Sequence, residues 1–151
     1  MVDGQDCKYV QVIPPTAIVD AASHAEVEID TLGYHYAEII FFLGATDIGI
    51  TALAVQETDT TGSGEANVTG LISGTSADID GVTSVLPSAT DDGQVTVFQI
   101  DLRKRKRFLS LVATHGNGSV GGFAAAVCRL SRGDVAATAS TDIATGGVLR
   151  A

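Results

Sequence analysis

Apolar and polar residues alternate along the run Val95–Leu102, which is the period-two pattern of a half-buried β-strand. Phe98 and Ile100 fall on one side of the predicted strand, and Gln99 and Asp101 fall on the other. We therefore expect the side that carries Phe98 and Ile100 to face a hydrophobic core.

Similar runs recur along the chain and predict about eight short strands, with no helix longer than two turns. The other seven candidates are Lys8–Ile13, Ala25–Asp30, Tyr34–Leu43, Ile50–Gln56, Asn67–Ile72, Phe108–Thr114 and Phe123–Leu130. Because the second half of Tyr34–Leu43 is apolar at successive positions, we expect a central strand that is covered on both faces. In Ala25–Asp30 the acids should form a solvated face, with Val27 and Ile29 on the opposite side. Short strands at this spacing are typical of an antiparallel β-sandwich or barrel.

A length of 151 residues fits one β domain between two arms. Pro14 and Pro15 must end the first strand, because proline has no backbone N–H for the ladder. The predicted division is an N-terminal arm with a short strand at 1–24, a β-sandwich domain at 25–131 and a C-terminal arm at 132–151. We expect both arms to be flexible. The long polar loop 73–94 is expected to carry a function or to contact a partner.

Five consecutive cations join two of the predicted strands and form the candidate partner-binding site. They are Arg103, Lys104, Arg105, Lys106 and Arg107, called the basic segment below. The chain has nine cations in all, so the other four stand against eighteen acidic residues, and the net charge is −9. Positive charge is therefore concentrated at one place on an acidic protein.

Three interpretations of the basic segment stay open. The first is the solvated end of a β-hairpin, whose cations are neutralised within the molecule by Asp101, Glu57 or Asp59. The second is nucleic-acid binding or nuclear import, which the acidic remainder of the chain disfavours because it would repel phosphates. The third is docking onto an acidic protein surface, where the planar guanidinium groups of arginine bind carboxylates.

The sequence contains no recognisable catalytic or metal-binding motif. His24, His35 and His115 lack the paired spacing of metal ligands. Gly116–Gly121 matches the glycine pattern of dinucleotide-binding folds, but too little chain follows it for the further parallel strands of such a fold. We interpret it as a glycine turn between two antiparallel strands. We therefore expect a protein that is not an enzyme and that has no cofactor and no metal.

The N-terminus and the cysteines bear on where the protein is made. The first ten residues carry acids where a signal peptide has cations, and no stretch approaches the roughly 18 apolar residues of a membrane span. We therefore expect synthesis in a cytoplasm and no membrane partner. In that reducing compartment Cys7 and Cys128 are expected to be free thiols, with a disulfide between them as the alternative.

Five stretches of the chain together resemble one family of phage proteins. The stretches are IDTLGYHYAEIIFFLGATD (29–47), ITALAVQETD (50–59), LPSATDDGQV (86–95), IDLRKRKRFLSLVATHGNG (100–118) and AAAVCRLSRGD (124–134). They resemble small proteins that are encoded beside the major capsid gene of tailed bacteriophages and prophages and are called head decoration or cement proteins. The similarity extends from about residue 25 to residue 134.

The resemblance implies a structural virion protein that binds the outer surface of an expanded capsid and stabilises the lattice against internal DNA pressure. It also implies a jelly-roll-like β-sandwich, assembly as a homodimer or homotrimer, and the major capsid protein as the partner. The protein would be made in the host cytoplasm, without a nucleic-acid partner. The family has no catalytic residues to carry over, and in place of an expected glycine this chain has Lys104 in its basic segment.

Two other functional classes remain as alternatives. One is a carbohydrate- or host-binding β-sandwich of a virion, which the absence of Trp and the scarcity of aromatic residues disfavour. The other is a β-barrel enzyme with a nucleotide cofactor, which would require a helix directly after Gly116–Gly121.

Overall fold

The computed structural model describes residues 6–134 and residue 144 of the chain. In this part the backbone forms eight β-strands and one short 3-10 helix, Leu102–Lys104. The strands are β1 (Lys8–Ile13), β2 (Ile29–Asp30), β3 (Tyr36–Thr46), β4 (Ile50–Thr58), β5 (Ala66–Ile72), β6 (Val95–Asp101), β7 (Phe108–His115) and β8 (Gly122–Ser131). The fold is therefore all-β, as the alternation of the sequence predicts.

The eight strands form two four-stranded antiparallel sheets. The first sheet has the order β1-β8-β3-β6, and the second sheet has the order β2-β7-β4-β5. In chain order, β1 pairs with β8, β2 with β7, β3 with β6, and β4 with β5. Such nested pairs arise when one long hairpin folds over onto itself, which is the topology of a jelly roll. The expectation of a jelly-roll-like sandwich is confirmed.

The hydrophobic core lies between the two sheets. In β3, Ile39 and Phe41 are fully buried, and they belong to the same apolar cluster as Leu111 of β7 and Cys128 of β8. Full burial of one large apolar side chain contributes about 1.5–3 kcal/mol to folding. Burial of the apolar side chains on the inner faces of the strands therefore drives the packing of the two sheets.

Strand β6 has the orientation that the sequence predicts. Phe98 and Ile100 are buried, whereas Gln99 and Asp101 are exposed. Among the described strands only β3 pairs with β6, so β6 is an edge strand of the first sheet.

The expectation that β3 is covered on both faces is wrong. The strand is central, between β8 and β6, but Phe42 on its outer face is 43% exposed. Phe42 lies opposite Val95 of β6, which is also exposed, as is Val97 two positions along. The apolar run therefore reflects two different surroundings, the core on the inner face and an open apolar surface on the outer face.

The predicted strand Ala25–Asp30 is reduced to its last two residues. Only Ile29–Asp30 pairs with β7, and Val27, which was expected to face inward, is 49% exposed. The N–H of Val27 instead donates to the carbonyl of Val12 at 2.8 Å. The reason is topological: this segment carries the chain from β1 in the first sheet to β2 in the second.

The N-terminal arm is described from residue 6 onwards, and its second half lies against the sandwich. The N–H of Val19 donates to the carbonyl of Gly122 at 3.0 Å, and the N–H of His24 donates to the carbonyl of Ala113 at 2.9 Å. Most of the predicted C-terminal arm, 132–151, lies outside the described residues, which include only 132–134 and 144 of it.

Candidate partner-binding surface

The basic segment connects the two sheets rather than closing a hairpin. β6 belongs to the first sheet and β7 to the second, so the β-hairpin that the first interpretation of the basic segment places between them is not formed. The crossing begins with the 3-10 helix, which Asp101 caps by accepting the backbone N–H of Arg103 at 3.1 Å. The N–H of Arg105 then donates to the carbonyl of Leu102 at 3.0 Å, and the Leu102 side chain is buried. This helix makes the turn without a positive φ angle at Lys104, so no glycine is required there.

Arg103 forms an ion pair with its neighbour Asp101. Its Nε donates to both carboxylate oxygens of Asp101 at 2.9 and 3.1 Å, and its Nη2 contacts Oδ2. The hydrogen bonds from the Arg103 side chain and backbone hold the pKa of Asp101 far below its usual range. Both side chains are largely exposed to solvent. An exposed pair of this kind organises the turn but adds little stability.

Arg105 and Lys106 contact the second sheet through Glu57 of β4. The Arg105 guanidinium lies 3.6 Å from the Glu57 carboxylate, and both side chains are partly buried. The other carboxylate oxygen accepts the backbone N–H of Lys106 at 3.1 Å. Glu57 therefore fixes the middle of the basic segment against β4.

Arg107 forms a two-pronged ion pair with Asp30 of β2. Its Nε and Nη2 donate to the two carboxylate oxygens at 2.9 and 2.7 Å, which is the planar geometry that arginine favours. These hydrogen bonds lower the pKa of Asp30. The Arg107 backbone N–H also donates to Asp59 at 3.4 Å, and its guanidinium lies 4.8 Å from the centre of the Phe108 ring. Arg107 thus joins β2 to the start of β7.

Lys104 and Lys106 differ from the three arginines. Both residues are exposed, and no carboxylate among residues 6–134 and 144 lies within 4.0 Å of either ammonium group. The three arginines instead form ion pairs with the carboxylates of Asp30, Glu57 and Asp101. The basic segment is therefore partly neutralised within the molecule, and the two lysines are its cations without a carboxylate partner in the described part of the chain.

The expected acid partners are correct in part. Asp101 and Glu57 pair with arginine side chains, whereas Asp59 contacts only a backbone N–H of the basic segment. The sequence reasoning missed Asp30, which lies 77 positions from Arg107. No local signal identifies that partner, because the pair depends on β2 and β7 being neighbours.

The glycine run Gly116–Gly121 connects β7 in the second sheet to β8 in the first, so it is not a turn between paired strands. A strand follows it, which departs from the helix that a dinucleotide site needs. The backbone N–H groups of Ser119, Val120 and Gly121 converge on the carboxylate of Asp47 at 2.7–2.8 Å. Burial alone would raise the pKa of Asp47, but these bonds outweigh it and lower the pKa. The run therefore binds an anion that the protein itself supplies.

Two of the three histidines meet inside the sandwich. His24 Nε2 lies 2.9 Å from His115 Nδ1, and both rings are buried. Burial, and secondarily the charge of His115, lowers the pKa of His24 to about 4. Burial also lowers the pKa of His115, although the nearby Asp20 and Asp47 act in the opposite direction.

His35 is separate from this pair and contacts Asp134 at 2.8 Å. The sequence reasoning missed the pair of His24 and His115, because 91 positions separate the two residues. Within the described residues no group of His, Cys, Asp or Glu has an arrangement that could hold a metal ion.

The acids before β2 form internal contacts rather than a purely solvated face. Glu28 accepts the backbone N–H of Gly62 at 3.0 Å and contacts the hydroxyl of Thr61. Burial raises the pKa of Glu26.

Both cysteines are buried free thiols, and burial raises the pKa of Cys128 to about 12.

Comparison of the chain with protein-family models, with curated proteins and with solved structures finds no match in any of the three. The resemblance to phage decoration proteins therefore stays a prediction from the sequence. In the part of the chain that the structure describes, no helix has the length and hydropathy needed to cross a bilayer.

Proposed function

We propose that this chain is a structural virion protein that binds the outer surface of a phage capsid and stabilises the lattice. The observation that carries the proposal is the pair of exposed ammonium groups of Lys104 and Lys106 on a protein whose net charge is −9. The basic segment is held in a fixed conformation by contacts to β2, β4 and β6. Such a surface suits an acidic protein partner better than nucleic acid, because the rest of the chain repels phosphates.

Two further points support the proposal. Five stretches of the sequence resemble decoration proteins, and the jelly roll is an architecture that viral capsid domains use, as lectins also do. A fold by itself does not decide a function, so the proposal rests on the basic segment and on the resemblance.

The proposed mechanism is structural. Each copy contacts the major capsid protein through the basic segment, and copies associate as a homodimer or homotrimer on the capsid surface. An exposed ion pair contributes at most about 1 kcal/mol, so a single copy binds weakly through two lysines alone. A linked set of copies binds far more tightly, because each added contact forms at high effective concentration.

Co-sedimentation with expanded capsids that lack the protein tests this proposal. We expect saturable binding that weakens as salt rises, together with a higher temperature of capsid rupture. Replacing Lys104 and Lys106 by Ser should weaken binding without changing the thermal unfolding of the free protein. The control, with Lys8 of β1 replaced by Ser, removes a cation outside the basic segment and should bind like the natural chain. Absence of binding by the natural chain at any salt concentration would refute the capsid role.

A carbohydrate- or host-binding module is the second candidate, and one observation favours it. Phe42 of β3 and Phe123 of β8 are 43% and 38% exposed on the outer face of the first sheet. Exposed aromatic rings are the groups on which sugars stack. Saturable binding to host-cell glycans that is lost in Phe42→Ala, combined with no binding to capsids, would establish this function instead.

A further inference from the structure

Within the described residues, the edge of β6 that faces away from β3 is open. The N–H of Leu102 donates to the carbonyl of His35 and the N–H of Leu43 donates to the carbonyl of Gln94, which fixes the hydrogen-bonding register between the two strands. In an antiparallel ladder the bonded and non-bonded positions alternate. Thr96, Phe98 and Ile100 therefore bond to β3, and the backbone N–H and C=O groups of Val97 and Gln99 point outward. No described residue pairs with them.

A groove of about 660 Å³ runs along this edge. One wall is β6 from Thr96 to Gln99, and another is the end of β5 from Gly70 to Ile72. The third wall is a small hairpin in the 73–94 loop, in which the N–H of Ser84 donates to the carbonyl of Ser76 at 2.8 Å. The volume of the groove falls within the ~300–1,000 Å³ typical of binding sites.

The hairpin presents an unburied apolar side chain to the groove. Ile79 lines the groove and is 98% exposed. The remaining walls are largely apolar, and the charged side chains that line the groove are Glu38 and Asp78. Glu38 lies opposite Arg129 of β8 and accepts a hydrogen bond from the Gln99 side chain, so Asp78 is the acid that an occupant can pair with. An occupant that matches these walls has apolar side chains and a positive charge.

We infer that this groove binds an extended segment of a partner protein, which adds to the first sheet as a strand next to β6. Strand addition satisfies the open backbone groups of Val97 and Gln99, and alternate side chains of the added strand enter the groove. The partner segment carries apolar residues at alternate positions and a Lys or Arg that reaches Asp78. The inference does not depend on the capsid role, because it concerns the edge of β6 and not the basic segment.

The test is a titration of the isotopically labelled full-length chain with the peptide Lys-Val-Thr-Val-Thr-Val-Lys, followed by NMR. We expect saturable binding with a Kd of about 1 mM or lower. The amide signals of Val97 and Gln99 should shift and become protected from exchange with solvent. A peptide with proline at its central position should not bind, because proline interrupts the strand ladder.

Two variants separate strand addition from unspecific binding. Val97→Pro removes an N–H that points away from β3, so β3 should stay paired with β6 while peptide binding is lost. Ile79→Ser leaves β6 unchanged and should weaken binding roughly tenfold. Val85→Ser is the matched control, since Val85 is a loop residue that is also largely exposed, at 83%, and does not line the groove. It should bind like the natural chain.

Three results would overturn the inference. The first is absence of saturable binding, and the second is equal binding of the two peptides. The third is protection of the Val97 and Gln99 amides before any peptide is added. That result would mean that another part of this chain, or a second copy of it, already pairs with the edge.

Discussion

Two buried histidines, His24 and His115, make the stability of this protein depend on pH. Their pKa values lie below the ordinary value because burial disfavours the charged ring, and that of His24 is about 4. In the unfolded chain both rings regain the ordinary value near 6.5. Between pH 6.5 and pH 4 the unfolded chain therefore binds protons that the folded chain does not, and stability falls as the pH falls.

From the shift of His24 alone we predict a loss of about 2 kcal/mol in the free energy of unfolding between pH 7 and pH 5. Urea denaturation at the two pH values measures it. The paired carboxylates, whose pKa values are lowered in the fold, act at more acidic pH and do not contribute in this window. His24→Gln should reduce the dependence, and His35→Gln should retain it. An unchanged stability from pH 7 to pH 5 would contradict the prediction.

Asp47 anchors the glycine run between β7 and β8, because its carboxylate accepts three backbone N–H groups. A Cβ added at Gly118 would overlap this carboxylate, so the glycine is required by the close approach. We predict that Asp47→Ala lowers the thermal midpoint and speeds hydrogen exchange at Ser119 and Val120. Asp80→Ala, which changes an exposed carboxylate on the 73–94 loop, should leave both quantities unchanged.

At the scale of the strand, two neighbouring residues of β3 test whether its inner face is buried and its outer face is exposed. Phe41 is fully buried, and its neighbour Phe42 is 43% exposed. We predict that Phe41→Ala lowers the free energy of unfolding by about 3–5 kcal/mol, through lost burial and the cavity left behind. Phe42→Ala should cost less than about 1.5 kcal/mol. Similar costs in denaturant unfolding would show that the outer face is covered in solution.

The connections between strands show how the elements are held together. Arg107 joins β2 to β7, and Glu57 of β4 holds the middle of the basic segment. The second half of the N-terminal arm bonds to β7 and β8. In each case a polar contact fixes a segment that crosses between the sheets, where the ladder of backbone bonds is interrupted.

At the scale of the whole molecule, the nested strand pairs place the first and last strands side by side. Lys8 of β1 lies opposite Leu130 of β8, so the contact closes almost the full described length of the chain. Long loops must close before such pairs form, and β-sandwiches of this kind fold in milliseconds to seconds. We predict refolding on that timescale after dilution from urea, measured by stopped-flow circular dichroism. Complete refolding within about 100 microseconds would contradict it.

The sequence by itself determined the strands and the direction of their side chains. The bounds of β1 were predicted in full, and the inner face of β6 was correct, because alternation is a property of each extended backbone segment. The sequence also located the basic segment and the long 73–94 loop. Where the chain leaves a sheet, as at Ala25–Asp30, alternation alone was misleading.

The tertiary structure decided which strands are neighbours, and with that every contact between distant residues. Arg107 reaches Asp30 across 77 positions, and His24 reaches His115 across 91. The crossing of the basic segment from one sheet to the other, and the open edge of β6, follow from the same pairing. The physical reason is that a strand carries the same alternation whichever strand it pairs with, so the partners are selected by the packing of the complete core.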